Sequence, residues 1–287
     1  MTCNELLTLF KSNASSLPYA NPLQDNSSYG GWISNLKTYK LNSNSQEPLS
    51  LNLSIENDLF LLFVLASCWS RTGMYEQSAY FVAYLKASHL NNPVYWNNTQ
   101  HFKEQKTNAK NINTYIQNNF YKFSNRSISI KSSFFDSVFG VAKYWSGIKA
   151  QLNQAKESNE WIVFVDYLHS LQGLAASSGF NYDGSYRPGK SKGGPCDPKM
   201  VIKIPLILRE IRIALPEEYG DIPGNYCCVP DKRVLEAAKH LSDLPLASQI
   251  HFENLLKQSS LIYEKFGDWY DIPLFAYEDI AGSTDGN

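Results

Sequence analysis

The chain contains no apolar run approaching 18 residues, no CxxC pair and no prevailing sign of charge. Without such a run, no segment reads as a membrane-spanning helix. Its five cysteines, Cys3, Cys68, Cys196, Cys227 and Cys228, fall at none of the spacings that hold zinc or an iron–sulfur cluster. Their odd number, with no signal peptide, leads to the expectation of a reducing, intracellular compartment, cytoplasmic or nuclear. His89, His101, His169, His240 and His251 likewise show no ligand-like spacing, so a metal hydrolase is not expected. A net charge of −1 over 287 residues excludes binding to a polyanion by overall charge, leaving only local charge for that purpose.

What is present is apolar and helical in pattern. At 43% hydrophobic and 14% aromatic, the chain can bury a large core. Apolar residues recur at helical spacing along most of it. The spacing predicts a first helix over 2–11 and a strongly apolar one opened by Ile55-Glu56-Asn57-Asp58. Further helices follow over 74–90, 132–152, 160–177, 198–215, 231–241, 246–265 and 271–280. WIVFV, from Trp161 to Val165, has strand-like composition, but Asp166-Tyr167-Leu168 continues it at helical spacing. The fold class expected is all-α. The expected division is a first lobe of 1–120 with 246–287, and a second of 121–245.

Two features carry chemistry. A loop, RPGKSKGG, leads to Asp197-Pro198-Lys199. Between Arg187 and Lys203 lie five cations (Arg187, Lys190, Lys192, Lys199, Lys203) and the single acid Asp197, a local balance of +4. Asp197 is a good N-cap and Pro198 a favoured first helical residue, which puts Lys199 in the first turn. There the helix dipole disfavours a cation and lowers the amine pKa, as a nucleophilic lysine requires. Lys203, one turn further on nearly the same face, is the competing amine. Pro205 is expected to kink this helix or delay its regular start. The backbone of Gly193 and Gly194, with Arg187, Lys190 and Lys192, can hold a phosphate. The second feature is Pro230-Asp231, followed by KRVLEAAKHL. Asp231 reads as an N-cap, and because capping needs one oxygen, the other is left to stabilise an oxocarbenium-like transition state.

Lys199 with its turn and Asp231 with its turn together resemble the helix-hairpin-helix DNA glycosylases, most closely the archaeal 8-oxoguanine DNA glycosylase/lyase group. Asp197-Pro198-Lys199-Met200-Val201-Ile202 stands where that group has a lysine opening a K-T-I-V-F-A helix. Val229-Pro230-Asp231-Lys232-Arg233-Val234 stands where it has P-V-D-x-R-V. LASCWSRTGMYEQSAYF (65–81) is similar to the group's early helix pair, and DWYDIPLFAYE (268–278) to its C-terminal segment. The usual Leu-Pro-Gly-Val-Gly hairpin is absent, as is the cysteine set of the endonuclease III branch.

The resemblance implies a two-lobed helix-hairpin-helix-like fold with the active site between lobes. It implies Lys199 and Asp231 as catalytic residues, with Trp69, Gln77, Asp271, Phe275 and Lys203 around the base. It also implies a bifunctional DNA N-glycosylase and abasic-site lyase of base excision repair, removing an oxidised purine of the 8-oxoguanine kind through a lysine Schiff base. The partner would be damaged DNA, duplex or single-stranded, with the base flipped out. No membrane is involved, the chain would act as a monomer, and the chemistry calls for neither metal nor organic cofactor. Two alternatives remain open. One is a queuosine-nucleotide-type N-glycosidase working through a carboxylate, which the near-neutral charge suits. The other is a non-catalytic nucleic-acid-binding module.

Overall fold

The computed structural model describes residues 2–13, 50–72, 75–120, 129–174, 178–189, 201–268 and 271–281. These residues are mostly helical, and the all-α expectation holds. Among them no helix is long and apolar enough to cross a membrane.

The centre is α2 (Glu56–Thr72), whose apolar residues surround it instead of forming a stripe. Phe60 through Ala66 are all 1% exposed or less. A helix that is apolar all round must be buried all round. It is covered by α3 (Tyr75–Ala87), by the long α7 (Ser133–Ser158) and by α9 (Lys203–Ala214). Each Leu or Phe so buried contributes roughly 1.5–3 kcal/mol, enough to make α2 the organising element. Glu56 and Asp58 lie in its first turn and Arg71 in its last, matching the helix dipole at both ends.

Short helices α4 (Pro93–Trp96) and α5 (Thr99–Thr107) pack on α7, and α6 (Ala109–Asn119) packs on α3 and α5. Helix α7 ends at Asn159, whose left-handed φ of 57° stops the helix. The WIVFV segment is helical, as α8 (Trp161–Ser170). Its buried residues Trp161, Phe164, Val165 and Leu168 follow the i, i+3, i+4, i+7 pattern, while Ile162 and Val163 face outward. The stripe, not the β-branched composition, decided the outcome.

The loop after α8 contains a small antiparallel hairpin, β1 (Gly179–Phe180) and β2 (Tyr186–Arg187), which periodicity had not indicated. Buried ions pin it to the helices. Asp136 on α7, fully buried, accepts from Lys106 at 2.5 Å and from Arg187 at 3.2 Å, and Lys106 also donates to the Phe180 carbonyl at 2.9 Å. A Cβ on Gly179 would stand 2.5 Å from Asp136 Oδ2, so only glycine lets the strand come this close. Arg71, at the end of α2, holds the chain that leads into the hairpin. It donates to the carbonyls of Gly173 at 2.7 Å and Ser178 at 2.8 Å, and to Ser137 Oγ at 2.6 Å.

The remaining helices are α10 (Pro216–Tyr219), α11 (Gly224–Cys227), α12 (Lys232–Leu241), α13 (Phe252–Phe266) and α14 (Asp271–Ala281). Helix α13 lies on α11, and α14 on α12. Helix α1 (Cys3–Asn13) packs on α14, bringing the two ends of the chain together. Because α9 touches both α2 and α11, its first turn faces the junction of the central helix with the C-terminal helices.

Candidate functional site

Helix α9 begins at Lys203, with Ile202 as its N-cap and Pro205 as its third residue. A proline there is harmless, since the N–H groups of the first turn have no intrahelical partner. Val201 is itself helical and Ile202 keeps a right-handed helical backbone, so Lys203 is the first residue after a one-residue break in the helical path and Pro205 lies in the turn that follows it. The Lys203 side chain is 7% exposed. Its Nζ lies over the Trp69 ring, 3.4 Å from the centroid. Its Nζ makes no hydrogen bond or ion pair among the described residues and keeps some contact with solvent. Burial is the main force on its ionisation and pushes the pKa down to about 8, with Asp231 acting to raise it and Arg209 to lower it further.

Asp231 caps α12 from an extended backbone, at φ −73° and ψ 167°. Both capping bonds fall on the same oxygen: Oδ1 accepts from the N–H of Arg233 at 2.8 Å and of Val234 at 3.4 Å. Oδ2 has no hydrogen bond among the described residues. The dual use expected of this carboxylate, one oxygen for the backbone and one for chemistry, is thus sterically open.

Asp271 opens α14 at 2% exposure. Its Oδ2 accepts from Arg209 Nη1 and from the Val229 N–H at 3.3 Å. Burial pushes this carboxyl up from its ordinary value, and the Arg209 guanidinium offsets part of that. The Val229 bond ties the head of α14 to the turn that delivers Asp231 two residues later. Phe275 follows Asp271 by one helical turn and so shares its face. The Arg233 guanidinium covers Phe275 at 4.9 Å from the ring centroid and also bonds Asp279 at 3.1 Å and Glu278 at 3.3 Å. These contacts fasten α12 to α14.

Trp69, Lys203, Leu206, Val229, Asp231, Val234, Asp271 and Phe275 line one half-open cavity. Its enclosed volume is about 10 Å³, room for a single water molecule and far below the ~300–1,000 Å³ usual for small-molecule sites, so a ring or a sugar enters only if its walls part. Four elements meet here: α2 brings Trp69, α9 the amine, the turn before α12 one carboxylate, and α14 the other with its phenyl ring.

Five residues expected at the site line this cavity: Trp69, Lys203, Asp231, Asp271 and Phe275. Gln77, also expected, is buried in α3 at 8% exposure but does not line it. Arg187 is outside the cavity too, on β2, with a side chain 54% exposed and one guanidinium nitrogen on Asp136. Lys190, Lys192, Gly193, Gly194 and Lys199 lie outside the described residues. Sequence reasoning missed Arg209, the fully buried partner of Asp271. Its only signal was position, directly after the apolar run Ile204–Leu208, where a buried arginine needs a carboxylate to meet. Sequence reasoning placed Arg233 only in the turn resembling P-V-D-x-R-V, with no role of its own.

No protein-family model, curated protein or solved structure matches this chain.

Proposed function

We propose that this protein is a DNA N-glycosylase with an associated abasic-site lyase activity, acting on an oxidised purine of the 8-oxoguanine type. The reading is supported above all by one observation. A buried amine with no hydrogen-bonding or ionic partner among the described residues shares a cavity with a carboxylate whose second oxygen is uncommitted, between two aromatic rings.

In this mechanism the damaged base leaves the stack and enters the cavity as its walls part, beside Trp69 and Phe275 and with Asp271 at its edge. Lys203 attacks the sugar C1′ as a neutral amine. At a pKa of about 8, roughly 10% of it is neutral at pH 7, against about 0.03% for an ordinary lysine. As the N–C1′ bond forms, the bond to the base breaks, and its electron pair departs with the base, which is then protonated. Asp231 stabilises the positive charge that develops on the sugar. The new ammonium carries two protons: one passes by way of Asp231 to the departed base, and the C1′–O4′ bond then breaks, O4′ taking a proton from water, to leave a protonated imine between Lys203 and C1′. Removal of a C2′ proton then expels the 3′ phosphate and nicks the strand. Arg187, Lys190 and Lys192, with the backbone at Gly193 and Gly194, hold the phosphates and carry no sequence information.

The sequence pointed first to Lys199 as the nucleophile, and borohydride separates the two lysines. The full chain is incubated with an 8-oxoguanine oligonucleotide and sodium borohydride, and covalent capture is scored by gel. Capture lost in Lys203→Gln and retained in Lys199→Gln is the expected result. The reverse pattern moves the nucleophile to position 199. Base release from a free nucleotide without any capture supports the carboxylate-only N-glycosidase. Neither capture nor release across a panel of lesions refutes the proposal.

A further inference from the structure

Trp69 stands in a relation to Lys203 that a mere wall of the cavity would not need. The amine sits 3.4 Å from the centroid of the indole, inside the range where the ring's negative face attracts a cation. The edge of the same indole is braced by Tyr75, whose ring is 5.3 Å away in a T-shaped contact. Trp69 thus contacts Tyr75 as well as presenting a ring face to the amine. Lys203 lies at the first position of its helix and makes no other polar contact among the described residues, so this ring face is what defines where the amine rests. Asp231, the carboxylate whose charge acts on this amine, makes no ion pair with it among the described residues.

We infer that Trp69 is the positioning residue of the Lys203 amine, holding it at the cavity wall through the face of its indole. The inference rests on the reading of Lys203 as the reactive group of this site, but not on what that group attacks. Two consequences follow for one side chain. The ring face restrains the amine to one place. It also favours the charged form, opposing the burial that favours the neutral one. The other charged or titratable groups around the amine are Asp231 on the cap of α12, Asp271 heading α14, Arg209 on its own helix, and Glu210 and Tyr75 behind the indole. None of these changes when the indole is replaced.

The test reads the amine directly and needs no substrate. The full-length protein is reductively methylated with formaldehyde and cyanoborohydride at a series of pH values, and the rate at Lys203 is followed by peptide mass mapping. Trp69→Leu keeps an apolar wall but removes the ring face. We expect the midpoint of the pH–reactivity curve to move down by about 0.5–1.5 pH units, the equivalent of a ~0.5–2 kcal/mol cation–ring attraction. Trp69→Phe, which keeps a smaller ring, returns the midpoint at least halfway toward the native value. If Trp69→Leu is folded by circular dichroism and its midpoint is unmoved, the inference is overturned. Should the leucine variant fail to fold, the phenylalanine variant decides alone: a partial downward shift supports the inference and none refutes it. Methylation proceeds whether or not the protein cleaves any glycosidic bond, so failure of the proposed reaction leaves this test intact.

Discussion

Burying the Lys203 amine has a cost to the fold that is separable from its chemistry. An ordinary lysine titrates near 10.5, whereas this one is pushed down to about 8. In the pH window between those values the unfolded chain binds the extra proton and the folded chain does not, so stability rises with pH there. Below about 8 both states are charged and the full penalty applies, and above about 10.5 neither is charged and it vanishes. The span corresponds to about 3 kcal/mol at 1.36 kcal/mol per unit. The Trp69 ring face returns some of that by holding the cation, leaving a rise of about 1–3 kcal/mol. Lys203→Met removes the titration while keeping the length of the side chain. Urea unfolding of both proteins at pH 7, 8, 9, 10 and 10.5 gives the difference in stability, in which tyrosines and cysteines common to both cancel. At pH 7 the methionine variant is expected to be the more stable, by an amount that shrinks by about 1–3 kcal/mol toward pH 10.5, with unchanged m-values. A difference that stays constant within 0.5 kcal/mol across the series would show that the amine is not desolvated, and the basis for a reactive Lys203 would go with it.

Two further substitutions separate structure from chemistry. Asp231→Asn preserves the N-cap, since asparagine caps as well as aspartate, so urea stability should change by less than about 0.5 kcal/mol. Single-turnover base release should fall by about 10²–10⁴-fold; an Asn variant with native rates would reduce Asp231 to a cap. Arg209→Met leaves Asp271 buried beside no counter-ion and is expected to lose about 3–5 kcal/mol at pH 7. Adding Asp271→Leu to that variant should restore most of the loss, and a double variant no more stable than the single one would show that the pair does not act as a unit.

The helices were legible because their apolar residues repeat with the helical period. WIVFV is the instructive case: Trp161, Phe164, Val165 and Leu168 form a stripe, and this outweighed a composition that favours strands. Start signals were legible where a side chain bonds its own helix, as at Asp231. The β1–β2 hairpin was not, because it is held by Lys106, Asp136 and Arg187, which come from three different elements. Two-residue strands carry too little alternation to be seen.

At the cavity the division runs along the same line. From the residues alone came an amine at a helix start and a capping carboxylate with an oxygen to spare, while Asp271 and Phe275 were expected from the resemblance of 268–278 to the glycosylases' C-terminal segment. Each is a local property of a few neighbours in the chain. What the tertiary structure decided is that the Lys203 amine meets them. Helix α9 opens at Lys203, and its packing against α2 lays that amine on Trp69, 134 positions earlier in the chain. Loss of water around an amine, and the company of a particular ring and carboxylate, arise only when distant helices close over it. Those long-range contacts, rather than the side chain itself, set its pKa.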